Sequence, residues 1–150
     1  MRSMSVNVFV DTNVLVYSRD ASEPVKQQQA MAWMTRLWQD QNGRLSYQVL
    51  QEYYTTVTQK LKPGLSVDIA RSDVRSLISW NPLPVEAAVV EGAWVVQDRY
   101  ALSWWDALIV SAAQASDCQY LLTEDLQAEQ TIGAVTIVSP FTTGPGLLLR

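Results

Sequence analysis

Four acidic residues stand where solubility alone does not explain an acid: Asp11, Glu52, Asp106 and Asp125. Asp11 ends the apolar run Val6–Val10 in VFVDTNVLVY, and apolar character resumes at Val14. An ionised carboxylate buried without a partner is costly, so something must hold it. Asp106 sits in LSWWDALIVSAA, flanked by Trp104, Trp105, Ala107, Leu108 and Ile109. Asp125 follows the β-rich run Tyr120–Thr123 in YLLTEDL, and Glu52 borders an apolar helical stripe in QVLQEYY. Brought together, such carboxylates repel and raise one another's pKa. A divalent cation among them reverses that sign, because the ion becomes the largest local charge. A shared divalent cation is therefore the partner that would let Asp11 interrupt a buried segment.

Each acid also has a plain structural reading. Asp11 can cap a short helix that follows it. Glu52 can face solvent. Ser103 and Asp106 have the spacing of a capping box, with Asp in place of Glu, and an acid in a first helical turn suits the helix dipole. Asp125 can belong to an ordinary turn, where Glu124 competes with it. The joint pattern, rather than any one residue, points to a site.

Composition narrows the chemistry. The 150-residue chain has no histidine, which removes Ser-His-Asp and Cys-His catalysis and every His-ligated zinc site. A metal here must sit on oxygen ligands, which favours Mg²⁺ or Mn²⁺. Cys118 is alone, so no internal disulfide forms, which fits a reducing cytoplasm. No apolar run approaches the ~20 residues that span a bilayer, so no membrane partner is expected. The N-terminal stretch meets an acid too early to read as a signal peptide. The net charge of −4 argues at first against a nucleic-acid partner. Of the 15 acidic and 11 basic residues, setting aside the four candidate ligands leaves equal numbers of each sign. A metal-filled site therefore need not repel a polyanion, although Arg19, Lys26, Lys60, Lys62, Arg71 and Arg75 read as scattered surface charges.

The elements that must position the acids can be read from periodicity. Val6–Val10 predicts a strand buried on both faces, with a short helix over Asn13–Tyr17 after it. Helices are predicted from Pro24 to about Gln41, from Tyr47 to about Lys62, from Ser66 to Ser79, from Val85 to Tyr100 and from Ser103 to Ala115. In the first of these, Trp33 and Trp38 fit core positions. Arg44–Ser46 is a weak strand, and Tyr120–Thr123 and Val135–Val138 are short β runs. Strands separated by helices give one α/β domain with a largely parallel sheet. Sites in such sheets form beyond the carboxyl ends of the strands, where Asp11 and Asp125 fall. The domain is expected over residues 1–141, with 142–150 as a loose tail.

The order VFVDTNVLVY, QVLQEYY, LSWWDALIVSAA, LLTEDL resembles the PIN-domain nucleases, and more narrowly the VapC-like toxins of bacterial toxin–antitoxin pairs. The resemblance runs from Val6 to about Pro140. It implies a three-layer α/β/α sandwich with a short, mostly parallel central sheet. It implies that Asp11, Glu52, Asp106 and Asp125 hold Mg²⁺ or Mn²⁺, with Thr12, Asn13 and Thr123 as small polar neighbours that steady ligands or water. Glu124 falls where the family varies and is left outside that set. The implied activity is metal-dependent cleavage of RNA leaving a 5′-phosphate and a 3′-hydroxyl. The implied partners are RNA, a cognate antitoxin that blocks the acidic groove, and a second copy of the chain. The Trp104–Trp105 pair is bulkier than the family pattern; it can narrow access to Asp106 or offer a stacking surface. Two rival readings remain open in the sequence: a non-catalytic PIN-fold binding module, and an aspartate-based phosphatase or phosphotransfer domain. The phosphatase reading lacks the Asp-x-Asp it needs, because Asp11-Thr-Asn13 stands there. A receiver-type domain lacks its late Lys, because no Lys follows Lys62.

Overall fold

The computed structural model describes residues 6–148. Its centre is a five-stranded sheet in the order β2-β1-β3-β5-β4, formed by β1 (Val8–Val10), β2 (Gly43–Arg44), β3 (Tyr120–Leu122), β4 (Thr131–Ile132) and β5 (Val135–Val138). The first four in that order run parallel, and β4 closes one edge antiparallel to β5. All three residues of β1 are fully buried, so the apolar run is covered on both faces. Helices lie on both sides of the sheet, giving the three-layer α/β/α sandwich.

The helices are α1 (Thr12–Tyr17), α2 (Pro24–Asp40), α3 (Tyr47–Thr55), α4 (Val67–Ile78), α5 (Ala87–Tyr100) and α6 (Trp104–Ala115). Serine hydroxyls start three of them: Ser46 accepts from Val49 N–H, Ser66 from Ile69 N–H and Ser103 from Asp106 N–H. Residues Ala107 to Ala113 of α6 are all buried, which explains why that helix reads as apolar nearly all round. No helix among the described residues is long and apolar enough to cross a membrane.

Three expectations need correction, and one strand was not expected. The helix expected through Lys62 keeps α-helical bonding only to Thr55; Thr56–Lys60 is a wider π turn, closed by Leu61 N–H donating to Thr56 C=O at 2.9 Å. Pro63 has no N–H to carry the helix on. Trp38, read as core, is 40% exposed and lies tilted on Trp80, with ring centroids 5.0 Å apart. Its spacing matches the buried stripe, but it sits two residues before the end of α2, where Trp80 covers only part of its ring. The weak strand expected at Arg44–Ser46 is the two-residue β2, one position earlier. Strand β4 has no sequence signature at all, being two residues turned back from β5 through Gly133, whose φ of 62° suits glycine.

The stretch expected as a loose tail is held to the body as far as residue 148. The Trp33 indole N–H donates to the Thr143 carbonyl at 2.9 Å, Pro145–Leu148 forms a 3₁₀ turn, and Leu147 and Leu148 pack against the core. Residues 149–150 of that expectation lie outside the described residues.

Candidate metal and nuclease site

Strand register builds the site. β1 and β3 are parallel neighbours with Val10 opposite Leu122, so the next residues, Asp11 and Thr123, emerge side by side. The chain leaves β1 toward β2 on one side, while β3 lies on the other; Asp11 is at the point where strand order reverses. Asp11 N–H still donates to Leu122 C=O at 3.0 Å, and Thr123 N–H to Val138 C=O at 3.0 Å, so both backbones are fixed by the sheet.

The Asp11 side chain meets three neutral donors: Thr12 N–H at 2.7 Å, Thr123 O–H at 2.8 Å and Asn13 Nδ2 at 3.3 Å. Among the described residues it forms no ion pair. Burial pushes its carboxyl up to about 6; the Thr123 and Thr12 bonds oppose that rise, and the charges of Asp125 and Glu52 add to it. The cap reading is therefore correct in part: Asp11 does begin α1. It does so with a carboxylate that costs energy to ionise where it stands.

The other acids reach the same place from separate elements. Asp11, Glu52, Asp106 and Asp125 line one cavity of about 400 Å³ together with Thr12 and Asn13. Thr12 O–H donates to Glu52 Oε1 at 3.0 Å, tying α1 to α3. Asn13 Nδ2 lies 3.1 Å from Asp125 Oδ2, and Asp125 N–H donates to Thr123 Oγ1 at 3.0 Å. Burial raises the Asp106 carboxyl; the Ser103 hydroxyl opposes this, and the Asp125 charge adds to it. All seven residues singled out in the sequence thus belong to one neighbourhood, six on the cavity wall and Thr123 bonded beneath Asp11. Glu124 turns away. It pairs with Lys26 at 2.6 Å and accepts from Tyr17 O–H at 2.8 Å. Burial pushes its carboxyl up, but the Lys26 and Tyr17 contacts outweigh that and leave it lowered.

The donor set tests whether a metal fits. It is all oxygen and strongly anionic, which suits a hard divalent cation. Among the described residues, no three acidic or sulfur side chains already stand at mutual chelating distance. The carboxylates surround the cavity rather than meet in it. Mg²⁺ retains several waters and takes only one or two protein carboxylates directly, so this spacing suits a hydrated ion.

The cavity has further walls that the sequence reading passed over: Gln48, Gln51, Thr55, Thr56, Lys60, Trp105 and Ile109. Gln51, Glu52 and Thr55 follow Gln48 at three, four and seven residues, a polar stripe on α3 opposite its apolar one. That signal was present in QVLQEYYT. Lys60, read as a scattered surface charge, stands on the π turn at the rim of the acidic cavity.

The sequence pattern of the PIN domain matches residues 8–132. The chain belongs to the PIN domain family. None of the curated proteins matches it. Solved structures do, and their likeness shows the shared fold. A toxin–antitoxin complex from Klebsiella pneumoniae is 17% identical with a TM-score of 0.57, covering 89% of this chain and 98% of that one. VapC20 of Mycobacterium tuberculosis, a toxin that cleaves the sarcin–ricin loop, is 22% identical with a TM-score of 0.57, covering 77% and 87%. VapBC2 from Rickettsia felis, bound to a DNA fragment from its promoter, is 15% identical with a TM-score of 0.58, covering 89% and 98%.

Proposed function

We propose that this PIN domain is a Mg²⁺- or Mn²⁺-dependent endoribonuclease and the toxin of a toxin–antitoxin pair. The observation that carries the reading is the gathering of Asp11, Glu52, Asp106 and Asp125, from four separate elements, around one cavity at the switch point of the sheet. These carboxylates would hold the metal, which would supply a lowered pKa to a bound water and offset charge on the scissile phosphate. Asp11 stays anionic at neutral pH against its burial, and its three neutral donors fix its orientation. Thr12 holds Glu52, and Asn13 holds Asp125, so that Asp11, Glu52 and Asp125 keep their positions while RNA binds. Lys60 contacts a phosphate beside the cut bond as a point charge. The relatives in toxin–antitoxin complexes favour an antitoxin as the partner that covers this groove, and the family resemblance adds a second copy of the chain.

Two strains and one RNA assay test this. The wild type, expressed in a bacterium, is expected to arrest growth and, purified with Mn²⁺, to cut RNA; Asp106→Asn is expected to do neither. Equal growth and equal RNA integrity for both would remove the reading. The open spacing that suits a hydrated ion also fits a second reading, a non-catalytic PIN-fold binding module. Manganese-loaded protein that binds RNA and leaves it whole would select that alternative.

A further inference from the structure

The acid cavity does not end at the acids. Gln48, Gln51, Glu52 and Trp105 also line an adjoining cavity of about 490 Å³, together with Tyr47, Val85 and Leu108. The two form one groove whose shared wall is the polar stripe of α3 facing the start of α6. The Trp105 indole is 61% exposed on that wall, and Tyr47 is 42% exposed at its far end. A large aromatic left in water beside a hydrophilic site loses the burial that usually holds such a ring. A second observation is independent of it. Both polar atoms of the Gln48 amide are buried and, among the described residues, lack a hydrogen-bond partner. An amide with a donor and an acceptor both unmet is costly, and native structures rarely keep one without a ligand or water to satisfy it.

We propose that this second chamber is a nucleobase subsite. An unpaired base of single-stranded RNA stacks on Trp105, and its hydrogen-bonding edge satisfies the Gln48 amide, with Gln51 at the groove lip. The amide is covered in the free protein, so the base reaches it by a side-chain rotation on the groove wall. This rests on the RNA-cutting reading above and names what its substrate presents: a splayed base next to the phosphate held at the acids. Aromatic platforms accept any base face, while an amide discriminates among base edges. Trp105 therefore supplies affinity and Gln48 preference.

The test uses the unmodified full chain with Ca²⁺ in place of Mg²⁺, a hard cation of looser geometry that fills the acidic site and suppresses cutting, with a fluorescein-labelled, mixed-sequence single-stranded RNA decamer read by anisotropy. Adding Trp105→Ala is expected to weaken binding by roughly 5- to 150-fold, and Trp105→Phe by much less. The same sequence as a duplex is expected to bind weakly and equally to all three. Adding Gln48→Leu is expected to melt no lower than the parent while flattening the differences among A, C and U tracts. A decamer that does not bind, that binds no better than its duplex, or that ignores Trp105→Ala overturns the subsite. Failure of the nuclease reading looks different: the unmodified chain would cut nothing in Mn²⁺ while Trp105-dependent binding persisted.

Discussion

The Asn13 amide donates to Asp125 Oδ2 across 3.1 Å, joining residues 112 positions apart in the chain. The same Nδ2 reaches Asp11 Oδ2 at 3.3 Å and Thr123 Oγ1 at 3.2 Å, while Asn13 Oδ1 accepts from Glu124 N–H at 3.2 Å. One neutral side chain thus spaces two carboxylates and pins the loop after β3.

Asn13→Asp keeps the acceptor for Glu124 N–H but replaces the shared donor with a third negative charge. In chelator, the variant is expected to lose about 2 kcal/mol of stability, the cost of unmet acceptors and like charges. Urea unfolding measures this. Asn13→Ala tests the positioning role separately: manganese affinity is expected to fall about 10- to 100-fold.

The Asp11 carboxyl sets a pH dependence for the metal-free protein. Its ordinary value is 3.8 and its folded value about 6. Between these, the folded chain keeps a proton that the unfolded chain has lost. The stability this group gives is full below pH 3.8 and is lost as pH rises through about 6. The loss amounts to about 3 kcal/mol. In chelator, the stability of Asp11→Asn relative to wild type is therefore expected to rise by about that amount from pH 4 to pH 7. Denaturant titrations at several pH values check it; a difference that shrinks over that range would contradict the burial of this acid.

Lys60 stands at the cavity rim on the π turn. If it meets a phosphate, Lys60→Met weakens RNA binding by a similar factor across sequences and lowers the slope of log affinity against log salt by about 1. An unchanged slope would leave Lys60 as a surface charge.

The parts of the site legible in the sequence are those set by local chemistry. An apolar strand that stops on an acid marks Asp11; after β3 the same logic leaves Glu124 and Asp125 in competition, and only the family resemblance chose Asp125. The pairing of β1 with β3 then makes Asp11 and Asp125 neighbours, which strand order alone had to decide. Glu52 and Asp106 were legible as acids beside apolar stripes, but their inward direction depends on how α3 and α6 pack. Lys60 was not legible, because the π turn shifts every residue after Thr56 relative to an α-helix. Gln48 was legible and overlooked: polar helical stripes read as solvent faces unless something facing them is known. Trp38 shows the opposite error, a residue in phase with a buried stripe that is left 40% exposed.

The packing of α5 on α6 offers a check free of the site. A Cβ on Gly92 would stand 2.6 Å from Ser111 Oγ, which donates to Val89 C=O at 2.7 Å. Gly92→Ala is expected to cost about 1–3 kcal/mol, and Ser111→Ala in the same chain to recover part of it. Manganese uptake is expected to stay unchanged in both, which thermal melts and a metal titration together establish.

The central claim is that the four carboxylates form a divalent-metal site, and calorimetric titration of the chelator-stripped chain with Mn²⁺ at pH 7.5 tests it most directly. The wild type is expected to take up manganese, Asp11→Asn and Asp125→Asn to lose most of that heat, and uptake by the wild type to weaken below pH 6 as Asp11 protonates. A wild-type chain that absorbs no manganese, or one whose uptake survives both substitutions, would contradict the account.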